Sequence, residues 1–99
     1  LSKQTEKKLG CLSLVKSPDI VANCDYIGDG YGFPDKRTLE AINLFAKTEG
    51  ILLDPVYSGK AAAGLIDLMK NGELKKYKRI LFIHTGGSVA LSSYLERFN

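Results

Sequence analysis

The stretch GILLDPVYSGK, residues 50–60, decides how the rest of this 99-residue chain is read. Four apolar or small residues run into Asp54-Pro55, Tyr57 follows, and Ser58-Gly59-Lys60 leads into the alanine-rich segment Ala61-Ala62-Ala63-Gly64. A buried run that turns through a polar loop into a helix is how α/β domains build sites. The hydroxyls of Tyr57 and Ser58 are expected at that turn, beside a helix N-terminus whose N–H groups favour an anion or an electron-rich ring atom. An ordinary strand-to-helix connection explains the same pattern.

Outward from this stretch, two helices are expected on either side. Asp35 is a good N-cap for a helix from about Lys36 to Glu49, with Leu39, Ile42, Phe45 and Ala46 at three- and four-residue steps and Gly50 as its stop. Ser58 is expected to cap the next helix, whose Ala62, Leu65, Ile66 and Met69 share a face and which runs to Gly72. Residues 51–53 read as a short buried strand. The run Arg79-Ile80-Leu81-Phe82-Ile83 has the continuous apolar pattern of a strand covered on both faces. It ends in His84-Thr85-Gly86-Gly87, where open parallel sheets bind ligands. Ser88 then opens a last helix with Leu91, Tyr94, Leu95 and Phe98 on one face.

Towards the N-terminus, residues 2–9 are helical and polar with Gly10 as a stop, and residues 11–15 and 20–27 are β-compatible. Between the second of these and Asp35 lies Gly28-Asp29-Gly30-Tyr31-Gly32-Phe33-Pro34. Three of the ten glycines fall in these seven residues, and such density has a cost in chain entropy that a plain connector avoids. The spacing is not that of a dinucleotide fingerprint. The alternation of elements predicts an α/β fold, a largely parallel open sheet with helices on both faces.

Composition bounds the function classes. With 44% hydrophobic and 25% charged residues the chain is an ordinary globular sequence, and disorder is excluded. The net charge of +3 is spread among eleven acids, so no nucleic-acid surface is expected, and the cluster Lys75-Lys76-Lys78-Arg79 reads as a solvated loop. No apolar run is long enough for a bilayer, so no membrane partner is expected either. Cys11 and Cys24 form no C-x-x-C pair; reduced, buried thiols, no metal and a cytoplasmic setting are the expectation. The chain opens at Leu1 with a charged segment that reads like the tail of a helix, as a piece of something longer would.

The segments GYGFPDKRTLEA (30–41), KTEGILLDPVYSGKAAAGLIDLMKNGEL (47–74) and ILFIHTGG (80–87) resemble, in order and without large gaps, the C-terminal part of the D-cysteine desulfhydrase and 1-aminocyclopropane-1-carboxylate (ACC) deaminase family. These are fold type II enzymes, related to the tryptophan synthase β chain, that use pyridoxal 5'-phosphate. The resemblance implies that residues 1–99 form one α/β unit, the C-terminal portion of such an enzyme. The Schiff-base lysine and the phosphate cradle would then come from an N-terminal part. Lys60 belongs to the D-P-V-Y-x-G-K motif and does not match the Schiff-base lysine. On its own the chain is expected to be inactive and to self-associate, as a homodimer or by exchanging elements.

Residue by residue, the resemblance implies substrate-handling, catalytic roles for Tyr31 and Tyr57. It places Ser58 against the pyridine nitrogen and Thr85 beside it, and adds Gly59 and Gly86 to the cofactor contacts. ACC deaminases resemble one another in having glutamate and leucine where this chain has Ser58 and Thr85, whereas desulfhydrases have hydroxyl residues at both. A carboxylate stabilises a protonated ring, a strong electron sink; a neutral hydroxyl donates to an unprotonated nitrogen and leaves a weaker one. The weaker sink suffices for β-elimination, which makes a small amino acid such as D-cysteine the expected substrate. ACC deamination and a non-catalytic α/β binding module of the same ancestry remain the alternatives, with an unrelated flavodoxin-like domain as a further reading.

Overall fold

The computed structural model describes residues 2–10 and 15–98. Three α-helices are present: α1 (Ser2–Leu9), α2 (Lys36–Glu49) and α3 (Ser58–Lys70). A 3-10 turn occupies Ser17–Asp19 and a 3-10 helix Ser88–Phe98.

Helix α2 forms where its caps direct. The Asp35 carboxylate accepts from Thr38 N at 2.8 Å and from Thr38 Oγ1 at 2.7 Å, closing the first turn. Gly50 stops the helix in the left-handed region at φ 66°, as Gly at this position does most readily. The buried face of α2 carries Ala41 and Ile42, which meet Ala62 and Ala63 of α3 and the fully buried Leu53. Phe45, Ile66, Phe82, Leu91 and Phe98 pack around this cluster. Small residues let the two helices close together. A methyl group added at Gly59 would lie 2.9 Å from the Ile42 side chain and 2.6 Å from the Asp54 carbonyl oxygen, so only glycine fits.

The expected parallel open sheet is not found: no strand forms among the described residues. Residues 20–27, 51–53 and 79–83 carry the composition of strands, yet none has another extended run paired beside it to take its N–H and C=O groups. Apolar patterning reports that a run is to be covered, not which neighbour covers it. In residues 79–83 only Phe82 turns inward, its ring 5.7 Å from that of Phe45, while Leu81 is 84% exposed. The architecture is therefore a helix pair, α2 on α3, with irregular segments laid around it. The expected strand at residues 11–15 lies, but for Val15, outside the described residues. Val15 N donates to Glu6 Oε1 at 2.6 Å and so ties the chain back to α1.

Three smaller expectations are corrected as well. The segment from Ser88 winds as a 3-10 helix, and α3 ends at Lys70, with Asn71 as its C-cap. Cys24 is an exposed free thiol, and Cys11 lies outside the described residues.

Candidate functional site

The turn into α3 is organised by Asp54, whose side chain is buried. Its Oδ2 accepts from Val56 N at 2.8 Å and Tyr57 N at 2.7 Å, and its Oδ1 from Ser58 N at 2.9 Å and from the Ser58 hydroxyl. Asp54 N in turn donates to Ser58 Oγ at 2.8 Å. Burial pushes the Asp54 carboxyl up, but the bonds from the Ser58 hydroxyl and from the Ser58, Tyr57 and Val56 N–H groups outweigh it and hold it below the usual carboxylate range.

The first N–H groups of α3 are engaged from within: that of Ser58 by the Asp54 carboxylate and that of Gly59 by the Asp54 carbonyl at 2.8 Å. Tyr57 is the N-cap, and Ser58, expected to cap the helix, is its first residue.

Ser58 is 4% exposed, and its single hydroxyl proton is committed to Asp54. Gly59 is buried against α2. Gly87 packs on the far side of the Asp54 carboxylate, where an added Cβ would lie 2.8 Å from Oδ1. That contact brings the 84–87 segment to the turn. Gly86 N donates to His84 Nδ1 at 3.0 Å, so Nε2 carries the ring proton and donates to Leu52 O at 2.9 Å. His84 is a fastener with both nitrogens engaged. Thr85 and Gly86 are exposed beside it.

Tyr57 lies on the other side of the turn, exposed, and donates to Tyr31 Oη at 3.3 Å. Their rings meet edge-on at 5.8 Å between centroids, an arrangement aromatic pairs favour. The hydrogen bond to Tyr31 is the main cause that raises the Tyr57 pKa above the ordinary tyrosine value, with desolvation, Tyr31 and the Asp54 charge adding to it. Tyr57 therefore keeps its proton across neutral pH.

The phenol pair stands on the rim of a groove of about 700 Å³ with predominantly apolar walls, among them Ile27, Ala61, Leu65, Leu68 and Ile80. Tyr26 closes one side. Its ring lies on Gly64, where an added Cβ would come within 3.0 Å of it, and its hydroxyl donates to Asp67 at 2.6 Å. That hydrogen bond leads the causes that push the Tyr26 phenol up to about 12.

Lys60 also lines the groove, but its ammonium is turned away into backbone, donating to Ile27 O and to Gly30 O. Among the described residues no group of His, Cys, Asp and Glu could hold a metal ion, and no helix is long and apolar enough to cross a membrane.

The structure therefore brings Tyr31 and Tyr57 together and sets Ser58 and Gly59 against Asp54, while Thr85 and Gly86 stand exposed beside His84. Sequence reasoning treated Asp54 only as part of a motif. The signal was available: an Asp side chain readily accepts from backbone N–H groups two residues on and so organises a turn.

A groove with aliphatic walls and two hydrogen-bonding phenols on its rim suits a flat, polar-edged ring and a small substrate. The family model for pyridoxal-phosphate dependent enzymes matches residues 2–86, and the chain belongs to that family. Pyridoxal phosphate is the cofactor of such an enzyme, and the apolar groove has room for its ring. At α3 the Ser58 and Gly59 N–H groups are already engaged by Asp54, so they build no phosphate cradle.

Proposed function

We propose that this chain forms one wall of the active site of a lyase of the D-cysteine desulfhydrase type, which converts D-cysteine and water to sulfide, ammonia and pyruvate. The observation that carries the reading is the meeting of Tyr31 and Tyr57, remote in sequence, with hydroxyls 3.3 Å apart at the mouth of the groove. Bound pyridoxal phosphate supplies the electron sink for bond breaking at the substrate Cα.

The chain's own residues handle the leaving group. Tyr57, held protonated, turns its O–H from Tyr31 to the departing sulfur and gives it the proton, and the exposed Tyr31 hydroxyl returns one to Tyr57 and is itself reprotonated from solvent. The Ser58 proton is held by Asp54, so Ser58 offers no donor to the ring nitrogen; what supports elimination over ring opening is that positions 58 and 85 carry neither the glutamate nor the leucine of the deaminases.

Lys60 has its ammonium committed to two carbonyls and is not the Schiff-base lysine in this proposal. Self-association belongs to the proposal too: Val21, Leu81 and Val89 stand exposed, and a second chain would cover apolar surface of this kind. A clean monomer in sedimentation at micromolar concentration would remove that element.

The activity is tested by giving the cofactor-loaded enzyme D-cysteine and, separately, ACC. Sulfide release supports the proposal; 2-oxobutyrate from ACC without sulfide from D-cysteine replaces it with the deaminase. An absence of both products together with no bound cofactor would leave a binding module.

A further inference from the structure

Lys60 is 9% exposed and lies on the first turn of α3, three residues beyond Tyr57. A buried ammonium has a large desolvation cost unless hydrogen bonds replace its water. Among the described residues no carboxylate pairs with it; instead it donates to Ile27 O, and at 2.6 Å to Gly30 O.

These two carbonyls belong to the start of the glycine-rich loop that carries Tyr31. The loop holds itself poorly. Gly28, Gly30 and Gly32 all have positive φ, and its own backbone bonds are long, Ile27 N to Cys24 O at 3.5 Å and Phe33 N to Gly30 O at 3.4 Å. Tyr31 projects with its ring 75% exposed. What locates it are two tethers from outside the loop, one on each side: Lys60 on the carbonyl of Gly30, and Tyr94, whose hydroxyl donates to the carbonyl of Gly32 at 3.1 Å. Since Tyr57 and Lys60 share one end of one helix, the tether on Gly30 fixes Tyr31 relative to Tyr57.

We propose that Lys60 is a positioning residue, holding the 28–34 loop so that the Tyr31 hydroxyl meets that of Tyr57; the catalytic consequence rests on the reading of the phenol pair given above. Methionine at position 60 keeps the stem and removes the donors, which releases the loop.

The test uses the cofactor-loaded enzyme carrying tyrosine labelled with ¹³C at Cζ, the Tyr57 resonance being assigned by its loss in Tyr57→Phe. Tyr31 meets the Tyr57 hydroxyl directly, and the Asp54 charge acts on it without a bond to it. In Lys60→Met the Tyr57 titration is expected to move down towards that of an ordinary tyrosine, and the same shift is expected in Tyr31→Phe. Turnover is expected to fall about a hundredfold, the effect of misplacing a reacting group by an ångström, with the bound-cofactor absorbance unchanged. Lys60→Arg, which keeps a donating cation, is expected to recover part of both.

A purely structural lysine would lower the melting temperature and leave the Tyr57 titration where it is, and that result overturns the proposal. If Lys60→Met does not fold, Tyr94→Phe loosens the same loop at Gly32 and the same titration decides. Full turnover in Tyr31→Phe would remove the functional reading of the pair, while the positioning claim is judged by the titration alone.

Discussion

Replacing Asp54 with alanine removes the acceptor of four hydrogen bonds at once. Three come from the N–H groups of Val56, Tyr57 and Ser58, and one from the Ser58 hydroxyl. The two donors on Ser58 are buried, so water replaces the lost acceptor poorly there; the donors on Val56 and Tyr57 are partly buried and regain water more easily. A buried donor left unpaired costs roughly 1–3 kcal/mol, and the Ser58 hydroxyl can rotate to limit its share, which gives a loss of about 2–4 kcal/mol in all. Urea unfolding of the wild type and of Asp54→Ala, compared at constant m, measures it. Asp54→Asn keeps one carbonyl oxygen but turns an amide N–H₂ towards donors, and it is expected to lose stability as well. A loss below about 0.5 kcal/mol in Asp54→Ala, within the range of an ordinary surface change, would refute the assignment of Asp54 as the organiser of the turn into α3.

Three further outcomes follow from the same geometry. Because the Asp54 carboxyl lies below its ordinary value in the folded state, its contribution to stability is complete above the unfolded-state pKa and is lost as the pH falls through the folded one; an acid titration of unfolding stability should show this limb in the wild type and a shallower one in Asp54→Asn. Gly59→Ala drives a methyl group into the Asp54 carbonyl and Ile42, and should cost about 1–3 kcal/mol in thermal unfolding, with part of it recovered when Ile42 is shortened to valine. Asp35→Ala removes the two bonds to Thr38 and should cost about 1 kcal/mol without moving the Tyr57 titration.

The helices were legible because their signals are local. Asp35 and Gly50 bracket α2, and the three- and four-residue spacing of Ile42 and Phe45 names its inner face. The sheet was not, because the apolar run ending at Ile83 says nothing of a neighbour at ladder distance, and among the described residues none forms. Ser58 looked like a cap because serine commonly is one; the N-cap is Tyr57, and the buried Asp54 four residues before Ser58 turns the serine hydroxyl inward. Tyr31 and Tyr57 were singled out by resemblance to known enzymes, and their contact across 26 residues depends on the loop and α3 meeting in space. The task of Lys60 was hidden for the same reason, since its partners are backbone carbonyls that no motif marks.

The account rests most on Tyr57 acting on substrate at the rim of the groove. The direct measurement is the rate of sulfide release from D-cysteine by the cofactor-loaded enzyme and by its Tyr57→Phe variant at equal cofactor absorbance. Loss of a positioned proton donor should lower the rate by about 10²–10⁴-fold with the absorbance band in place. Equal rates in the two proteins would contradict the account.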